Sequence, residues 1–163
     1  MDSVMSENGV ELLELDAQPM LSIRETIVTN ELSERMGERM EALSSYLAKL
    51  GVKPTGHPFV IYHTFVWEGE SDLEVGVPVS DKQEGEGWIA SGELPGGPAV
   101  KTVHTGPHPE LGKAYGRISE WMKENGKEVA APIREEYYWI DLGGGNGDSS
   151  GGEQRVGLVQ PYK

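Results

Sequence analysis

The sequence predicts an α+β fold: two β-α-β-β units, related by a pseudo-twofold axis, forming one antiparallel sheet with two helices on one face. Three observations predict it. Gly51 ends one amphipathic segment and stands eleven residues before Tyr62; Gly126 ends a second and stands eleven residues before Tyr137, so that Gly51–Phe65 and Gly126–Ile140 align without a gap. The segment before each glycine carries apolar residues at helical spacing. The flanking segments alternate apolar and polar residues and are punctuated by proline and glycine. Such repetition marks two copies of one supersecondary unit, and two fused copies enclose a groove, for which the sheet face opposite the helices is left free.

The first copy, about 10–80, opens with strand-like Glu11 to Leu15 and Met20 to Val28, in which Leu21, Ile23 and Ile27 sit among polar residues. Asn30 is placed to cap a helix. From Glu31 to Leu50, Leu32, Met36, Met40, Leu43, Leu47 and Leu50 form one stripe of a 3.6-residue helix. Glu31 and Glu34 in its first turn, and Lys49 and Gly51 at its end, suit the helix dipole and a left-handed cap. Pro58 to Val66 and Leu73 to Val79 then read as strands joined by the polar turn 68–71.

The second copy, about 86–163, repeats that order. Trp88 to Glu93 and Ala99 to Thr105 are strand-like, joined by Leu94-Pro95-Gly96-Gly97-Pro98, where proline cannot continue a ladder and glycine can take positive φ. A helix runs from Pro109 through Leu111, Ala114, Tyr115, Ile118 and Trp121 or Met122 to Gly126. Strands Arg134 to Leu142 and Val156 to Gln160 come next. Between them, residues 143–152 hold six glycines in ten positions and read as a flexible hairpin loop, with a lid over the groove as a further role.

The formal net charge of −13 repels phosphate backbones and anionic lipid, so neither nucleic acid nor membrane is an expected partner. The absence of cysteine excludes disulfides and thiolate chemistry and is compatible with a reducing compartment. The first ten residues lack a signal-peptide core, no segment reaches membrane-spanning length, and the expected location is the cytoplasm. A chain of 163 residues is read as a single domain large enough to bury a pocket.

Candidate chemistry gathers on the strand after the second helix. Side chains alternate along a strand, so Glu135, Tyr137 and Trp139 share one face, and the equivalent positions of the first copy are Val60, Tyr62 and Thr64. Tyr62 and Tyr137 are expected to face one another across the groove, with a carboxylate on one side only. A carboxylate among aromatic faces is a receptor for a cation; shielding it could instead make it a general base or nucleophile. Trp88 and Trp139 are candidate pocket walls, and Trp67 a rim or surface residue. His104 and His108 are separated by Gly106-Pro107, which breaks the helix that a metal pair would need, and no metal or cofactor is expected. The glycine-rich stretch has no lysine and lacks phosphate-loop spacing.

Four segments in order, the Leu94-Pro95-Gly96-Gly97 turn, the Val103-His104-Thr105-Gly106-Pro107 approach to the second helix, Leu111 to Tyr115 with Trp121, and Pro132, Arg134, Glu135 and Tyr137, resemble the GyrI-like small-molecule-binding domain. That domain is also the effector-binding half of AraC- and MerR-type multidrug regulators. The resemblance implies a central groove for bulky, lipophilic, often cationic molecules, taken up for sequestration or for sensing through a protein partner or homodimer. It also implies two alternatives: a hydrolase that opens strained electrophilic rings, with Glu135 and Tyr137 in the catalytic positions, and an inhibitor of a topoisomerase. His108 stands where relatives commonly carry an aromatic, near the mouth of the groove.

Overall fold

The computed structural model describes residues 9–105, 110–138, 140 and 155–163. Its elements are β1 (Glu11–Leu15), β2 (Gln18–Val28), a 3-10 turn (Thr29–Glu31), α1 (Leu32–Leu50), β3 (Phe59–Thr64), β4 (Glu70–Pro78), β5 (Ala90–Leu94), β6 (Gly97–Thr105), α2 (Leu111–Glu124), β7 (Arg134–Tyr137) and β8 (Arg155–Pro161). Both helices lie where the apolar stripes place them. Gly51 caps α1 at φ 70°, in the left-handed region that glycine enters without a Cβ penalty. No described helix is long and apolar enough to cross a membrane.

All strands join one antiparallel sheet in the order β1-β6-β8-β7-β3-β4-β2-β5. The first strand of each half pairs with the other half: β1 lies against β6, and β5 against β2. The crossing is tight, since a Cβ on Gly96 would stand 2.9 Å from the Ala17 nitrogen and 3.0 Å from the Leu15 oxygen, so this turn position needs glycine. At the sheet centre, β3 and β7 pair Phe59 with Glu136, Val60 with Glu135 and Ile61 with Arg134.

Core side chains from β2, β3, β4, β6 and β8, among them Leu21, Val60, Val75, Val100 and Leu158, pack in one cluster with Leu43 and Leu47 of α1 and Ile118 and Trp121 of α2. Both helices therefore cover the same face. On the reverse face Phe59, Ile61, Met20 and Leu94 form a small second cluster, and the Phe59 ring crosses Gly76 where a Cβ would meet it at 2.7 Å. The sequence suggested a groove on the helix-free face. The cavity opens instead between the helices, because that is where the large apolar side chains point and where two helix ends leave the sheet uncovered.

Candidate functional site

Alternation along the four residues of β7 sends Glu135 and Tyr137 to the helix-covered face and Arg134 and Glu136 to the reverse. Antiparallel pairing sets Val60 directly opposite Glu135. The Tyr62 amide donates to the Ile133 carbonyl at 3.3 Å and the Tyr137 amide to the Pro58 carbonyl at 3.0 Å, so the two tyrosines flank Glu135 on adjacent strands. They stand side by side on the cavity floor and do not face one another across it, as the sequence had suggested.

Glu135 is only 4% exposed. Tyr137 donates its hydroxyl to Oε1 at 2.6 Å, Tyr62 donates to the same oxygen at 3.3 Å, and Tyr115 of α2 donates to Oε2 through a short hydrogen bond. Among the described residues no lysine, arginine or histidine forms an ion pair with it. Burial pushes the Tyr62 and Tyr115 hydroxyls far above their ordinary pKa, and the Glu135 charge pushes them further. Burial raises Tyr137 in the same direction, followed by the neighbouring Tyr62 and Glu135. All three stay protonated, as donors must.

Above this floor lies a cavity of about 1080 Å³. Leu32, Met36 and Met40 wall it from α1, Leu111 and Tyr115 from α2, and Phe65 and Trp67 stand at its rim. The apolar stripe of α1 is thus divided: its N-terminal half lines the cavity, while Leu43 and Leu47 fill the core. Methionine is unbranched and polarizable, so this wall can adjust its shape.

The structure brings Glu135, Tyr137 and Tyr62 together on the cavity floor. Val60 is fully buried beneath them and packs in the core without lining the cavity. Trp88 is a correction: it is 52% exposed, outside the cavity, and stacks on the Arg39 guanidinium at 4.3 Å. Arg39 in turn forms a paired bridge to Glu25 at 2.6 and 2.8 Å, so that indole serves the outside of α1. His108, Trp139 and the 143–152 loop lie outside the described residues. Among the described residues no three His, Asp or Glu side chains gather as a metal site.

Two features escaped sequence reasoning. Tyr115 appeared only as one member of a helical stripe, although its spacing of four from Leu111 puts both on one face. Phe65 reaches the rim because β3 carries a bulge: Tyr62 pairs with Leu73 and Thr64 with Asp72, leaving His63 as the extra residue. Strict alternation would place Phe65 opposite Tyr62; the bulge returns it to the same side.

Comparisons with known proteins agree with this architecture. Residues 9–142 match the family described as the GyrI-like small molecule binding domain. No curated protein matches the chain. Among solved structures, the C-terminal domain of EcmrR is 25% identical over 94% of this chain and 96% of its own, with a TM-score of 0.72. In the EcmrR–DNA complex the match covers 94% of this chain but 57% of that longer one, at 24% identity and a TM-score of 0.76. SAV2435 bound to tetraphenylphosphonium shares the fold at 14% identity, over all of this chain and 94% of its own, with a TM-score of 0.60. A hydrolase from Listeria innocua shares it at 10% identity, over 96% of this chain and 92% of its own, with a TM-score of 0.63. With residues 9–142 inside the family match and its fold repeated in these structures, the chain belongs to the GyrI-like small molecule binding domain family.

Proposed function

We propose that the cavity captures a bulky lipophilic cation, for sequestration or for sensing through a protein partner, with Glu135 as the one charged side chain among its described lining residues. The observation that carries this reading is a buried carboxylate held by three hydroxyls and lacking an ion-pair partner among the described residues, at the floor of an apolar cavity. A charge so placed attracts a cation strongly, because little water screens it, and the tyrosine rings add their quadrupoles. The geometry also selects the kind of cation. A carboxylate offers about four acceptor sites, and three are taken. A compact primary ammonium would find too few acceptors for its N–H groups, whereas a charge-diffuse phosphonium or quaternary ammonium needs none. The tetraphenylphosphonium bound to SAV2435 is of that class.

The single carboxylate follows from the duplication. Val60 and Glu135 occupy equivalent positions, nine residues after Gly51 and Gly126, and they pair with each other, while Phe59–Glu136 and Ile61–Arg134 are likewise exchanged equivalents. That register is what a pseudo-twofold axis between β3 and β7 requires. At the axis one copy supplies charge and the other a neutral neighbour.

A second reading, a hydrolase that opens strained electrophilic rings, is favoured by one observation: the Tyr115 and Tyr137 hydroxyls are hydrogen-bonded to the buried Glu135 carboxylate, so a base or nucleophile and proton-bearing groups stand together. Calorimetric titration with tetraphenylphosphonium, together with product analysis after incubation with a cyclopropane-bearing alkylating compound, tests both. Binding lost in Glu135→Gln supports capture. Turnover lost with binding retained supports hydrolysis, and wild-type behaviour in both assays removes Glu135 from either role.

A further inference from the structure

We propose that Trp67 is a preorganised aromatic platform at the cavity mouth, a second subsite that selects ligands carrying a flat ring system beyond their cationic centre. Trp67 is 84% exposed, far more than an indole needs to be on a turn of a folded protein. Its neighbours explain the position. From the carboxylate outward, Tyr62 meets Phe65 edge-on at 6.0 Å between centroids, and Phe65 meets Trp67 edge-on at 4.9 Å. These rings form a continuous aromatic ladder from Glu135 to solvent. Trp67 also borders a second, smaller cavity of about 390 Å³ with Val28 and Asn30, so it stands between two open spaces.

The turn that carries it is held from behind. The Thr29 hydroxyl donates to the Val66 carbonyl at 2.6 Å and lies 2.7 Å from the Ser71 hydroxyl; the Val66 amide donates to Ser71 Oγ at 3.0 Å, and the Thr29 amide to the Gly69 carbonyl at 2.9 Å. Ser71 is fully buried. On the reverse face His63, the bulge residue, is held by Glu74 at 2.8 Å, and Glu74 accepts from Ser22 at 2.5 Å. An exposed ring on a backbone tied at so many points is ordered before any ligand arrives, so binding to it loses little further entropy. The platform suits a planar polycyclic group stacked on the indole while the cationic centre sits above Glu135.

This inference rests on the cation-capture reading, and the test separates the two. Calorimetry would compare ethidium, a flat polycyclic cation, with tetrabutylammonium, a compact aliphatic one, on wild type and on Trp67→Ala, Thr29→Val and Glu135→Gln. Trp67→Ala should weaken ethidium about tenfold and tetrabutylammonium less than about twofold. Thr29→Val, which keeps the shape and removes the tie, should weaken ethidium selectively by a smaller factor. Glu135→Gln should weaken both cations. If Trp67→Ala leaves both affinities unchanged, or lowers both equally, the platform is overturned while the Glu135 result stands by itself. If Glu135→Gln changes neither cation but Trp67→Ala still weakens ethidium alone, capture through the carboxylate fails and the aromatic subsite survives. Wild type that binds neither probe overturns both.

Discussion

Glu135 and Glu136 are consecutive residues on one short strand, and the protein treats them in opposite ways. Glu136 points to the reverse face, where Lys101 reaches it at 3.4 Å, Arg134 at 3.3 Å and the Tyr138 hydroxyl at 3.5 Å. Glu135 points to the cavity and receives three neutral hydroxyls. The first charge is matched by cations from the chain; the second is hydrogen-bonded, with no cation paired to it among the described residues. A buried charge without a counter-ion costs stability, and a site that retains one keeps the attraction available to a ligand.

The strongest way to break this contrast is to remove the asymmetry across the strand pair. Val60→Glu would set a second carboxylate directly opposite Glu135, in a fully buried position where cross-strand Cβ atoms are about 5 Å apart. Two like charges there cannot both remain ionised. The expected loss is about 3–5 kcal/mol of stability, as for an uncompensated buried charge, measured by denaturant unfolding. Val60→Gln should lose clearly less, and equal losses would mean that volume, not charge, governs the site.

Exchanging the charges one at a time sharpens the comparison. Glu135→Gln should weaken tetraphenylphosphonium by about 1.5–3 kcal/mol, ten- to a hundredfold, the worth of a charge-assisted contact. Glu136→Gln should leave affinity within about twofold and lower stability instead, because it strands Lys101 and Arg134 beside a neutral side chain. Equal effects on binding would show that general acidity, not the position of one carboxylate, draws the ligand.

The sequence made some of this visible and hid the rest for physical reasons. The C-terminal end of α1 was legible because the stripe, Lys49 and the capping Gly51 agree there, whereas the expected Asn30 cap is not made: Asn30 sits inside the 3-10 turn, and Glu31 takes the N-cap position without a side-chain hydrogen bond. Glu135 and Tyr137 were legible because alternation is local. The pairing of Val60 with Glu135 is not local; aligning Gly51–Phe65 with Gly126–Ile140 made the two positions equivalent without making them neighbours. The exchange of β1 and β5 between halves left no mark, since an edge strand alternates identically whichever neighbour it meets. Tyr115 was invisible as a donor because helical spacing assigns a face but not the carboxylate that the face will meet. The bulge at His63 reversed one alternation and hid Phe65 from the rim, while Trp88 was drawn outward by Arg39, a contact between distant segments.

The tyrosines offer a contrast in pH. Burial raises the hydroxyls of Tyr62, Tyr115 and Tyr137, whereas Tyr138, also raised by burial, is pulled back down by Lys101. Each group is neutral in the folded state above 10.0, the value at which an ordinary tyrosine ionises. Their contribution is therefore complete below pH 10 and is lost as pH rises through the folded-state values, at about 1.4 kcal/mol per pH unit for each tyrosine kept neutral. Tyrosinate absorbance should show Tyr138 ionising before the cavity tyrosines, identified by its disappearance from the early phase in Tyr138→Phe. If Tyr137→Phe removes the early phase instead, the carboxylate side is not the more protective one.

The smallest expected effect probes how the carboxylate is shared. Tyr115→Phe removes the donor to Oε2 while keeping the ring that lines the cavity. Stability should fall by about 1 kcal/mol, the net worth of one hydrogen bond, or somewhat more because the acceptor is charged. Binding should respond by ligand class. A diffuse cation keeps its ring and its Coulomb attraction and should bind within about threefold of wild type, whereas a compact ammonium gains a free acceptor and should bind more tightly than before. The ratio of tetraphenylphosphonium to n-butylammonium affinity should therefore shrink in Tyr115→Phe. An unchanged ratio would mean that hydroxyl occupancy does not set the preference, and the apolar walls of α1 would then have to account for it alone.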